Sequence, residues 1–256
     1  MATSTPQMTG LVSRQFTPRQ HSRSREKAVL ILGAVAAATG LVLQMILEHL
    51  HPHHEQPNNS VAAFTEYAHA HGWAAVHIGQ FFGVLLIVFA LLVLCQSLVR
   101  QPGLAGGFAR AGAVATVVLA SVFAVQMAVD GVALSHAVDT WAGATGTART
   151  SALQVAEGIR SLEKGLSGFF HLMNGTALLA LGASIVAART SRSWPGWVAI
   201  ASGIGFLAGG ASTATTGFSM QSATILRPSL LLLAVFLAGT YASMFRNTQR
   251  PQPLDA

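Results

Sequence analysis

Residues 29–47 (VLILGAVAAATGLVLQMIL) carry no charged group. At about 1.5 Å per residue, a helix of about 20 residues crosses about 30 Å of hydrocarbon. Inside that layer a helix is the one single-segment structure that satisfies all of its own backbone polar groups. Five further apolar stretches follow. Together they predict an all-α, polytopic transmembrane bundle of six spans, at about 28–48, 75–98, 111–134, 166–188, 197–218 and 228–245. The lipid bilayer is then the main environment.

Composition agrees with a membrane domain. Only 9% of the 256 residues are charged and 52% are hydrophobic, against roughly 25% charged in soluble domains. The net charge of +6 does not make a nucleic-acid surface, because the basic residues punctuate apolar segments instead of sharing a face. No nucleic-acid partner is expected. The single cysteine, Cys95, sits in an apolar run and excludes an intrachain disulfide, a cysteine-based zinc knuckle and an iron–sulfur cluster.

Residues 1–27 read as a disordered basic tail, 28–246 as the membrane domain and 247–256 as a second tail. The basic flank of the first span resembles a signal peptide, but the long tail and the later spans point to an uncleaved helix. Eleven of the 15 Lys and Arg residues fall on the side of the termini, and Arg149, Arg160, Lys164 and Arg227 on the other. The positive-inside rule therefore places both termini in the cytoplasm of a cell-membrane protein. Residues 150–164 have helical apolar spacing and read as a segment lying along the membrane surface. Pro228 suits the first turn of the sixth span. The fifth span (GIGFLAGGASTATTG) is small and polar, with GxxxG at Gly205 and Gly209, and belongs inside the bundle.

Polar groups gather at the outer helix ends. The first span ends Gln44-Met45-Ile46-Leu47-Glu48 and the third carries Gln126-Met127-Ala128-Val129-Asp130. The second opens His77-Ile78-Gly79-Gln80, and the fourth holds His171-Leu172-Met173-Asn174. These matches point to a parallel repeat of two-helix hairpins, with spans five and six as a degenerate third copy. Each pair, three or four residues apart, shares a helix face. Glu48, His77, Asp130 and His171 are thus candidate metal ligands. Glu48 and Asp130 are also candidate acid–base groups, and Gln44, Gln80, Gln126 and Asn174 would orient ligand or substrate. The loop His49-Leu50-His51-Pro52-His53-His54-Glu55 also has metal-binding composition, as a delivery tract or a weak surface site.

Several functions fit this set. A metal-dependent membrane oxidoreductase or hydrolase would use zinc, copper, iron or manganese on a lipophilic substrate. A b-type haem between His77 and His171 is a variant of that reading. A proton-coupled transporter or channel would use the same titratable groups. A non-catalytic complex or sensor subunit would bind a membrane protein partner, with the polar residues serving helix packing alone.

Overall fold

A computed structural model of the protein describes residues 18–52, 58–189 and 193–248. Every element among the described residues is helical. They are α1 (Pro18–Leu50), α2 (Ser60–His69), α3 (Trp73–Leu98), α4 (Leu104–Ala128), a π-helix (Val129–Leu134), α5 (Ser135–Gly143), α6 (Gly146–Ala187), α7 (Trp194–Thr216) and α8 (Met220–Thr248). Six segments are long and apolar enough to cross a membrane: Ser24–Leu50, Trp73–Leu98, Leu104–Gly143, Gly146–Ala187, Trp194–Thr216 and Met220–Arg246. The protein is an all-α, multi-pass membrane bundle.

The six spans form a closed ring in chain order. Each packs on its sequence neighbours, and α8 returns to α1. Six alternating spans bring Pro18 of α1 and Thr248 of α8 to the same end of the ring. The interior is filled by Leu91 and Leu94 of α3, Leu178 and Leu181 of α6, Phe206 of α7 and Phe236 of α8, all fully buried.

Small residues set the tightest contact. Gly168, Gly175 and Gly182 of α6 lie seven apart, as do Gly196, Gly203 and Gly210 of α7. A Cβ on Gly175 would sit 2.7 Å from the Gly203 carbonyl oxygen, and one on Gly182 would sit 2.6 Å from that of Gly196. The two backbones therefore touch along an antiparallel seam, as small residues permit in membranes. The GxxxG glycines take a different face: Gly205 and Gly209 lie against Ser229 and Leu226 of α8. The fifth span is thus a member of the ring, with Trp197 and Ile204 facing outward, and is not enclosed by it.

Three segments differ from the sequence reading. Residues 150–164 continue the fourth span as one helix of 42 residues, about 63 Å long and twice the hydrocarbon thickness. No proline interrupts it. Its buried Ala156 joins Phe64, Leu134, Val138 and Trp141 in a small second core. That core caps the ring at the end opposite Pro18 and Thr248 and is built from α2, the start of α3, the end of the π-helix, α5 and the first half of α6. The segment therefore packs on protein, not along the membrane. Pro228 lies well inside α8 and not in its first turn. The helix starts earlier because Ser219 accepts from the Ser222 backbone N–H and donates its own N–H to Ser222 Oγ, closing the first turn. At the other end of the chain, α1 already begins at Pro18, so residues 18–27 are helical.

Candidate metal centre

Three chain segments meet beneath the cap. His51 follows the end of α1. His77 lies one turn into α3, whose start is set by Gly72 in the left-handed region (φ 81°). Asp130 lies on the π-helix that interrupts the third span. Such single π turns inside α-helices are frequent at functional sites. Next to Asp130, a Cβ on Gly131 would fall 2.6 Å from His77 Cβ, so glycine is what lets α3 approach the π-helix this closely. One ligand atom from each of His51, His77 and Asp130 falls within 4.8 Å of the other two.

Hydrogen bonds fix the imidazoles. His77 Nδ1 is 2.8 Å from the Trp73 carbonyl and His51 Nδ1 is 3.1 Å from the Pro52 carbonyl. A carbonyl only accepts, so each Nδ1 carries a proton and each neutral ring has its lone pair on Nε2. His77 Nε2 lies 3.1 Å from Asp130 Oδ2. Two lone pairs facing each other at that distance repel unless a cation or a proton lies between them. Two tetrahedral ligands bonded at about 2.05 Å are about 3.3 Å apart, close to the observed spacing.

Aromatic rings enclose the group. The Trp73 ring lies tilted against those of His77 at 4.5 Å between centroids, Tyr67 at 4.2 Å and His51 at 5.1 Å. Its Nε1–H also donates to the Asp130 main-chain carbonyl at 2.9 Å. Burial among these rings holds His51 below its usual pKa of 6.5, Asp130 pulling the other way. Burial likewise raises the Tyr67 phenol above its ordinary value, so it stays protonated.

A buried ion pair lies behind this cage. Arg160 Nη1 donates to both carboxylate oxygens of Glu163, at 2.8 and 2.6 Å, and its guanidinium covers the rings of Tyr67 and Phe218. Glu163 interacts electrostatically with both Asp130 and His77. Two acids, Asp130 and Glu163, thus share these surroundings with one guanidinium, Arg160, and two imidazoles, and each buried charge needs a partner.

Of the residues the sequence singles out, the structure brings His77 and Asp130 together. Glu48 is exposed, one turn before His51, and acts on that imidazole through its charge. Gln44 Nε2 donates to the Gln80 carbonyl at 2.5 Å, tying α1 to α3. Gln126 lies one turn deeper than Asp130, and its Oε1 is buried without a partner. His171 stacks on Phe206 at 5.8 Å, with Nδ1 also unpartnered, as is Asn174 Oδ1. Neither Glu48 nor His171 joins the three-residue group. His53, His54 and Glu55 lie outside the described residues.

Trp73, Tyr67 and the Arg160–Glu163 pair carry no motif. The available signal was the face shared by Glu163, Ser167, His171 and Asn174, at steps of four, four and three along one helix. Comparison with protein-family models, with curated proteins and with solved structures finds no match, so function is read from the site itself.

Proposed function

We propose that the protein is a membrane-embedded, metal-dependent hydrolase. A zinc-class cation is held by His51, His77 and Asp130, with its fourth position open to water. The observation that carries this reading is the facing pair of His77 Nε2 and Asp130 Oδ2, with His51 offering a third donor atom within 4.8 Å of both. Two imidazoles and a carboxylate leave one tetrahedral position free, the arrangement in which zinc lowers the pKa of bound water to about 7. The Trp73 carbonyl on His77 Nδ1 supplies the outer partner that a ligating histidine needs. The bias of Lys and Arg toward the termini supports a cytoplasmic location for them, with the metal centre at the outer face of the cell membrane.

A transport route finds less support. Below Asn174 the ring interior is filled by Leu91, Leu94, Leu178 and Leu181, all fully buried, and the buried hydroxyls of Thr116, Ser184, Ser202 and Thr240 each donate to a backbone carbonyl. A haem shared by His77 and His171 is disfavoured because His77 directs its Nε2 at Asp130.

Elemental analysis of detergent-purified protein without a histidine tag tests the reading. One zinc per chain is expected, lost in His51→Ala and His77→Ala and retained in His171→Ala. Stoichiometric iron would move the assignment to an oxidoreductase, since the same donor set serves iron(II). Absence of any metal, or its loss only with His171→Ala, would overturn the site.

A further inference from the structure

A groove of about 220 Å³ runs along the outside of the ring, between α3 and the third span. Ile78 and Phe81 form one wall and Ala124, Ala128 and Val132 the other, with His77 at the floor. It exists because the third span presents methyl groups at two positions four apart, on one face, while neighbouring side chains project. Ile78 is 55% exposed and Val132 48%.

Counted at about 1.5 Å per residue from Arg100 and Arg110, the charged residues nearest the far ends of the two spans, the groove falls in the outer third of about 30 Å of hydrocarbon. From Val132 to Ala124 the groove extends about 12 Å along the helix axis. It is smaller than the 300 Å³ or more of ordinary small-molecule pockets, and its walls are apolar throughout. Its outer end reaches His77 and Gly131, beside Asp130. A narrow apolar slot with one polar end matches an amphiphile standing in its normal orientation in the bilayer.

We propose that this groove seats one hydrocarbon chain of a membrane amphiphile, tail toward the membrane centre and polar head at the His51–His77–Asp130 cluster. The substrate then reaches the centre sideways from the bilayer instead of from water. The head's fate as a hydrolysis substrate rests on the metal reading above; occupancy of the groove does not.

The test uses the full chain in lipid nanodiscs containing a trace of phosphatidylcholine with a diazirine on one acyl chain. After illumination, label on residues 78–81 and 124–132 should exceed that on Val35, Val42 and Leu231, which are exposed elsewhere on the ring. An excess of about tenfold corresponds to a preference of about 1.4 kcal/mol. Ala128→Trp should abolish the excess without changing metal content, and Ala124→Leu gives a milder block if the tryptophan variant fails to fold. Even labelling of all faces, or an excess that both variants retain, would overturn the groove. Metal content is read on the same samples. Groove labelling without metal would refute the hydrolase and leave the groove, whereas bound metal with even labelling would do the reverse.

Discussion

Replacing Asp130 by Asn separates a cation site from a simple polar contact. The side chain keeps its shape, loses its charge and turns an amide N–H toward His77 Nε2, 3.1 Å from the present carboxylate oxygen. A neutral hydrogen bond contributes about 0.5–1.5 kcal/mol net, so the metal-free variant should be no less stable than the parent. The cation is what is lost. At zinc 100-fold above Kd, binding stabilises the parent by about 2.7 kcal/mol. Removing even an outer partner of a ligand lowers affinity 10–100-fold, and removing the ligand itself lowers it by at least the larger factor. At the same zinc the variant then retains about 0.4 kcal/mol. The difference of about 2.3 kcal/mol corresponds to roughly 5–9 °C in melting temperature for a chain of this size. Thermal melts in detergent after chelation, with and without added zinc, read it directly. An equal zinc shift in both proteins would refute the reasoning and assign the binding to exposed histidines such as His49.

Trp73→Phe removes the donor to the buried Asp130 carbonyl. It should lower stability by about 1–3 kcal/mol and loosen metal binding 10–100-fold, measured by melts and zinc titration. Gly203→Leu drives a side chain against the Gly175 carbonyl oxygen, 2.9 Å from the new Cβ, and should destabilise by about 1–3 kcal/mol. By contrast Gly158→Ala meets nothing within 4 Å and should stabilise α6 by about 0.4–1 kcal/mol in the same melts. Because burial holds His51 below pKa 6.5, its ring is neutral and free to ligate at about pH 7. Zinc affinity should fall on acidification as protons compete for the imidazoles; an affinity unchanged between about pH 8 and pH 5 would contradict the assignment.

Membrane residence was legible because an uncharged apolar run of span length has few alternatives. The number of spans followed for the same reason. The pairing of His77 with Asp130 was legible from matching depth on neighbouring spans. His51 was not placed, because in the sequence it is one of four histidines in a loop, and only the return of α3 beside α1 selects it. The π-helix was invisible too: no residue pattern at 129–134 marks the extra backbone residue. The α6–α7 seam was present as glycines seven apart in both helices, yet the eye-catching GxxxG at Gly205 and Gly209 belongs to the α8 contact. Arg160 and Glu163 fall in the segment that reads as lying along the membrane surface. They become buried only because that helix carries the cap.

Trp73 is the residue that makes these parts one site. Its carbonyl fixes the tautomer of His77, and its indole N–H holds the backbone of Asp130, so both candidate ligands take their position from the first turn of α3. Its ring rests on Tyr67, which belongs to the core of the cap. Tyr67 in turn lies under Arg160, which holds Glu163. The cap and the centre therefore share a single set of contacts, and the cap's buried core is what shields the charged cluster from water. Interactions among charges and ligands strengthen as water is excluded. The extension of spans three and four beyond the bilayer thickness gives the site a roof of protein, with His51 at its partly exposed edge. The groove beside His77 then leaves the bilayer side as the open approach to it.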